Sequence, residues 1–171
     1  MIVGDYPELD TWIARRRALD QDRLDKVWDG EYHMAAAPTR WHSIVGGELA
    51  AVLRGLARTR GLVVGTEFNL GSGQHDFRVP DLGVHRTASN DLWQSTAAMV
   101  VEIVSPGDES WLKFDHYAAH GVDEVLIADP YDSTLHLFVL TGGTYQPADR
   151  SDLLGVAVAD LHAAIEWPGV S

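Results

Sequence analysis

Residues 99–106 read MVVEIVSP, and how Glu102 fits into that stretch decides the fold. A continuous apolar run of this kind is the pattern of a strand buried on both faces. An unpaired carboxylate in such a strand costs several kcal/mol or takes up a proton. Glu102 therefore needs a cation, a basic side chain or solvent at a cleft. An internal salt bridge would meet that need as well as a functional site would.

A second acid raises the same question. Residues 77–85 read FRVPDLGVH, with Asp81 directly after Pro80. Proline has no N–H to give a ladder, so a strand frays there and leaves Asp81 at a cleft. Strands at 77–85 and 98–104 are sequential, and sequential strands usually neighbour each other. Paired, they point Asp81 and Glu102 into one space. Two carboxylates alone repel, whereas a divalent cation holds both ionised. All-oxygen ligands favour Mg²⁺ or Mn²⁺ over zinc.

Lys113 stands on the helix that follows, predicted over about 109–120 and closed by Gly121. At 100° per residue Trp111, Phe114 and Ala118 form its buried face, and Lys113 lies on the border. From there its stem runs along apolar surface while its amine reaches the acids. His116 and His120, spaced i, i+4, are expected on a solvated face. Lys26 and Lys113 are the only lysines of the chain, and all other basic residues are Arg. In so Arg-biased a chain, a Lys either marks a place that Arg cannot serve or stands there by chance.

The rest of the chain frames these residues. Residues 8–24 read as an amphipathic helix with Arg15, Arg16 and Arg17 on a solvated face. KVWDGEYHM at 26–34 is a hairpin signal, with Asp29–Gly30 suited to a type I′ turn. Thr39 is placed to cap a helix over 40–59, whose apolar stripe is Val45, Leu49, Val52, Leu53 and Leu56. His42 falls in that stripe, which leaves it as a core histidine or an active-site contact; Glu48 lies at its edge. Three strands follow at about 62–70, 77–85 and 98–104, with GSGQHD turning the first pair. After the 109–120 helix come a buried strand at 123–130, a half-exposed strand at 133–140 and a short helix at about 158–166. Helix, three strands, helix and two strands point to an α+β fold with a mixed sheet covered by helices.

With 171 residues, 46% of them hydrophobic and 22% charged, the chain suits one soluble domain. It has no cysteine, which excludes disulfides, thiolate metal sites and a cysteine nucleophile. No apolar run approaches the roughly 18–20 residues that span a bilayer, and the N-terminus lacks a signal-peptide pattern. A cytoplasmic protein with no membrane partner is expected. The net charge of −12 counts against a broad DNA-binding surface, though not against a local basic groove. There is no G-x-S-x-G elbow, P-loop or H-E-x-x-H.

VPDLGVHR, MVVEIVSPGDESWLKFDHYAAHGVDEVLIADP and DGEYHMAAAPTRWHSIVGGEL together resemble the Uma-type family of restriction-endonuclease-like proteins, a family common in bacteria. The resemblance spans about residues 25–145. It implies the PD-(D/E)XK nuclease fold, a mixed sheet flanked by helices, within a single domain over 1–171. Residues 1–35 would form an N-terminal helix and hairpin, 36–145 the nuclease-like core and 146–171 a C-terminal extension. Asp81 matches the acid of the PD element and Glu102 the acid of the third strand. The usual lysine two residues on is absent, since position 104 is Val. Lys113 resembles the migrated lysine that the family places on the next helix. The resemblance further implies that the Ile103 carbonyl joins Asp81 and Glu102 on Mg²⁺ or Mn²⁺. His42 fits the family's histidine near the start of the first helix. Glu67, which alternates away from Phe68 and Leu70, and Glu48 are accessory candidates.

The expected activity is metal-dependent hydrolysis of phosphodiester bonds in nucleic acid, in an enzyme that works as a homodimer if it follows other small nucleases of this fold. Two rivals remain open at this point. One is an inactive interaction or oligomerisation module on the same scaffold. The other is a hydrolase of small nucleotide substrates, which an acidic surface tolerates better than long DNA.

Overall fold

In the computed structural model the described residues are 2–3, 7–19, 22, 25–28, 31–33, 38–107 and 110–169. At the N-terminal end are strand β1 (Ile2–Val3), helix α1 (Pro7–Ala18), β2 (Lys26–Trp28) and β3 (Glu31–His33). The helix stops at Ala18, short of the expected residue 24. Arg16 is not solvated as expected: its guanidinium holds buried Asp25 with two donors, at 2.9 and 3.2 Å. Strands β2 and β3 pair antiparallel, with Trp28 opposite Glu31. That register leaves a two-residue connection, but Asp29 and Gly30 themselves lie outside the described residues.

Helix α2 (Arg40–Thr59) begins where Thr39 was expected to cap it, its side chain accepting from the His42 N–H at 3.2 Å. Val45, Leu49, Leu53 and Ala57 are fully buried along one face. Truncating one of these leucines to Ala would cost about 2–5 kcal/mol. The helix lies close to the sheet because Gly46 has no side chain; a Cβ there would meet Ile103 Cδ1 at 3.2 Å.

The next two expected strands are each broken in two. The first divides into β4 (Val63–Thr66) and β5 (Asn69–Gly73), the second into β6 (Asp76–Arg78) and β7 (Leu82–His85). The breaks have local causes. Glu67 takes a positive φ of 48°, and Pro80 interrupts the other strand. The halves pair with each other on both sides of the break, β4 with β7 and β5 with β6. They end up in different sheets, however. After β8 (Trp93–Gln94) and β9 (Met99–Ile103) come a single 3₁₀ turn (Ser110–Lys113) and α3 (Phe114–Ala119). Then follow β10 (Glu124–Asp129), β11 (Thr134–Thr141), β12 (Thr144–Ala148), the short pair β13 (Arg150–Ser151) and β14 (Val156–Ala157), and α4 (Val158–Ala163).

One six-stranded sheet runs β12-β11-β10-β9-β7-β4, and a second runs β1-β3-β2-β6-β5-β8. Within the first, β9 and β10 are parallel and joined through α3, while β7 pairs antiparallel with β9. The sheet is mixed and flanked by helices, as the sequence pattern implied. All five residues of β9 are buried. Met99, Val101 and Ile103 join the core under α2; Val100 joins a second core with Tyr117, Val125 and Ile127. Strand alternation sends Glu102 to that second face, under α3.

Candidate active site

The break in the β6–β7 strand builds the first part of the site. The antiparallel ladder of β7 on β9 ends at Leu82 opposite Val101. Beyond it the backbone partner is gone, and the Asp81 carboxylate takes its place. Asp81 Oδ2 accepts from the Ile103 N–H at 2.7 Å. Its other oxygen, Oδ1, lies 3.3 Å from His42 Nε2, so the first turn of α2 reaches the same point. Glu67 stands close by through its backbone, its N–H donating to the Asp81 carbonyl at 3.3 Å, while its side chain is exposed. Glu48 is not brought to this point. It lies by the C-terminal segment, where its carboxylate accepts from the Glu166 N–H at 3.5 Å.

Glu102 meets a cation. Lys113 Nζ lies 2.5 Å from Glu102 Oε2, and both side chains are almost fully buried. The Tyr117 hydroxyl donates to the other oxygen, Oε1. Lys113, His116 and Tyr117 form the buried face of this segment, which corrects the expected face of Trp111, Phe114 and Ala118. The physical reason is the 3₁₀ turn through Lys113, where the 100° step of an α-helix does not hold. Trp111 is half exposed, packing edge-on against Phe138. His116 is also not solvated. Its Nε2 lies 3.0 Å from the Leu70 carbonyl, and burial lowers its pKa to about 4.

The electrostatics separate the two acids. Burial raises the Asp81 pKa, but His42, the Ile103 N–H and Lys113 outweigh it and leave the carboxyl below its ordinary range. For Glu102 burial prevails: its pKa is raised despite Lys113, with Asp81 adding repulsion. Burial and the Glu102 charge drive the Tyr117 pKa well above the usual value.

Two residues at this cluster were not among the sequence candidates. Tyr117 is one; Lys26 is the other. Burial and the Lys113 ammonium lower the Lys26 pKa, while Glu102 and Asp81 act to raise it, so Lys26 shares the field of this cluster. The available signal was composition, because both lysines of the chain converge here. Among the described residues, no group of three or more His, Cys, Asp or Glu is arranged to hold a metal. Asp81 is held on the N–H of Ile103, the residue after Glu102, which brings two carboxylates to one strand end. This fits Mg²⁺ chemistry, in which one or two carboxylates suffice and water fills the remaining positions.

Comparison with known proteins bears on this arrangement. A family model, Uma2, described as "Putative restriction endonuclease", matches residues 8–166. The chain belongs to the Uma2 family. Among solved structures, the chain resembles one titled as a putative nuclease belonging to DUF820 from Anabaena variabilis ATCC 29413. The two are 17% identical, with a TM-score of 0.65 over 82% of this chain and 90% of that one. This likeness shows that the Uma2 chain has a nuclease-like α+β fold. A structure titled as a DrdV–DNA complex aligns at 20% identity and a TM-score of 0.43, over 73% of this chain and 12% of that one. The search of curated proteins returns no match. Among the described residues, no helix is long and apolar enough to cross a membrane.

Proposed function

We propose that this Uma2 protein is a metal-dependent nuclease that hydrolyses phosphodiester bonds at the Asp81–Glu102–Lys113 cluster. The observation that carries this reading is the Lys113–Glu102 pair at 2.5 Å, with Asp81 bonded to the very next residue of the same strand. Three residues far apart in sequence are thereby drawn to one strand end.

Asp81, Glu102 and the Ile103 carbonyl would hold the cation. The N–H and C=O of one strand residue face the same edge, so the Ile103 carbonyl lies on the side from which Asp81 approaches. When bound, Mg²⁺ or Mn²⁺ supplies positive charge at the scissile phosphate and makes a water acidic enough to attack. The chain's own residues do the rest. His42 holds Asp81 Oδ1, and the Ile103 N–H holds Oδ2, so the carboxylate is fixed and ionised. Tyr117 and Lys113 fix both oxygens of Glu102. Lys113 also stands where it orients the attacking water or neutralises charge growing on the phosphate. Glu67 is an accessory acid through its closeness to Asp81.

The test is cleavage of single- and double-stranded DNA with Mg²⁺ or Mn²⁺. Asp81→Asn and Glu102→Gln are each expected to lower the rate by roughly 10²-fold or more. Mn²⁺ should raise the melting temperature of the wild type and not of the double variant, because a ligand of the native state stabilises it. Unchanged cleavage in both single variants would refute the assignment. The net charge of −12 favours short strands or nucleotides over long duplex, and a shallow salt dependence would support that narrower substrate.

A further inference from the structure

We infer that Lys26, delivered by the N-terminal hairpin, is a second catalytic cation that binds the substrate phosphate. This rests on the nuclease reading above. The chain has eleven arginines and only two lysines, and both lysines act on Glu102. An ammonium is a compact point charge with three rotatable donors, which a planar guanidinium matches in charge but not in geometry.

The acids of the site are already engaged without Lys26. Glu102 is taken by Lys113 and Tyr117, and Asp81 by the Ile103 N–H and His42. No carboxylate among the described residues lies within ion-pair distance of Lys26; the Lys113 ammonium acts on it most strongly, and Glu102 and Asp81 oppose that repulsion from further off. Two ammonium groups side by side repel, and partial burial makes that worse. A group with several anionic oxygens relieves the repulsion by bridging them. A phosphodiester has that chemistry, and it is the group the neighbouring acids would act on.

The strand that carries Lys26 is fastened on every side. Asp25, directly before it, is bound by Arg16 and by the Tyr32 hydroxyl at 2.5 Å. The Val27 carbonyl, directly after it, accepts from Arg78 at 3.1 Å. Trp28 stacks on His33 at 4.2 Å and lies under the Arg78 guanidinium at 4.6 Å. Lys26 itself pairs across the ladder with His33. Three strand residues with this much support form a rigid mount, and a rigid mount is what a charge aimed at a transition state requires. In this role Lys26 keeps its proton and donates hydrogen bonds to a non-bridging oxygen; the bond broken and the water added are those of the hydrolysis itself.

The experiment compares wild type, Lys26→Met and Lys26→Arg, with Arg86→Met removing one unit of charge from an exposed pair with Asp123 as control. Each protein is measured for binding of a short labelled DNA oligonucleotide without metal across a salt series, for cleavage with Mg²⁺, and for melting temperature. Lys26→Met is expected to weaken binding and lower the salt slope by about 1. It should slow cleavage by roughly 10²-fold and melt no lower than wild type, since a repulsive neighbour of Lys113 is gone. Lys26→Arg should keep the binding and lose part of the rate. A Lys26→Met protein that binds and cleaves like wild type and like Arg86→Met overturns the inference and leaves the nuclease reading standing. So does one that melts far lower while its folded fraction binds and cleaves normally, because Lys26 is then only a counter-charge. If wild type binds, Lys26→Met does not, and neither cleaves with any metal, the phosphate contact stands and the nuclease reading falls. If wild type neither binds nor cleaves, both fall.

Discussion

Glu102 and Glu124 stand on neighbouring parallel strands and are almost equally buried, at 2% and 3% exposed. Burial raises the pKa of both. Their partners differ in kind. Glu102 meets the charged Lys113 and the Tyr117 hydroxyl, with Asp81 and Lys26 close by. Glu124 meets neutral donors only, the Ser151 hydroxyl at 2.6 Å and the Leu153 N–H at 3.3 Å. It lies at the start of β10 and fastens the segment that follows β12. Glu102 lies near the end of β9, and in open sheets with parallel strands the carboxyl ends are where ligands gather. Burial of an acid is therefore no mark of a site by itself. What sets Glu102 apart is the gathering of a second acid and two lysines around it, whereas neutral donors satisfy a carboxylate just as well when only structure is at stake.

The contrast breaks most visibly at Lys113. Lys113→Met leaves Glu102 buried without its ion-pair partner and should destabilise the protein by about 3–5 kcal/mol in urea unfolding. Adding Glu102→Gln to that variant should restore most of the loss, because the uncompensated charge is gone. A double variant no more stable than Lys113→Met would show that Lys113 acts through packing, and the distinction from Glu124 would collapse.

Much of this arrangement was legible in the sequence. The Thr39 cap, the stripe of α2, the buried runs of β9 and β10 and the two strands flanking Asp29–Gly30 follow from local periodicity and turn chemistry, which need no knowledge of the rest of the chain. Asp81 and Glu102 stood out because each breaks an apolar pattern. What was not legible depends on distant partners. The β4–β5 and β6–β7 breaks move half of each strand into another sheet, and a local pattern of alternation reads the same on either side. His116 is buried because β5 presents the Leu70 carbonyl to it, which helical spacing does not reveal. Lys26 enters the field of Lys113 and Glu102 only once the hairpin has docked beside β6 through Val27 opposite Phe77. Glu124, a buried acid with neutral partners, leaves no trace that separates it from a surface residue at a strand's start.

His116 sharpens the comparison at intermediate size, because it too is buried and ionisable, with the Leu70 carbonyl at one ring nitrogen and Asp76 3.7 Å from the other. Its surroundings are the Leu70 carbonyl, Asp76, Arg78 and His120. Its folded pKa, about 4, lies below the ordinary 6.5. The unfolded chain therefore takes up the proton first. The stability His116 contributes is intact above pH 6.5 and is lost as pH falls toward 4, by at most about 1.4 kcal/mol per pH unit. His116→Gln, whose amide still donates to Leu70, should flatten unfolding free energy against pH in that window. An unchanged slope would mean that His116 is protonated in the folded protein.

The smallest effect is expected at Glu124 itself. Glu124→Gln keeps the shape and leaves an oxygen to accept from Ser151 or from Leu153. It exchanges hydrogen bonds to a charged acceptor for neutral ones, a loss of about 1 kcal/mol. The raised pKa of the wild-type carboxyl works in the other direction. With the folded value above the unfolded one, Glu124 favours the folded state at low pH, and that contribution fades as pH rises from the unfolded value through the folded one. The variant should therefore stay close to wild type in acid, where both side chains are neutral, and gain on it as the wild-type carboxyl ionises toward neutrality, with DNA cleavage unchanged throughout. Loss of cleavage in Glu124→Gln at full stability would put Glu124 in the same class as Glu102, and partner chemistry would no longer tell a structural acid from a working one.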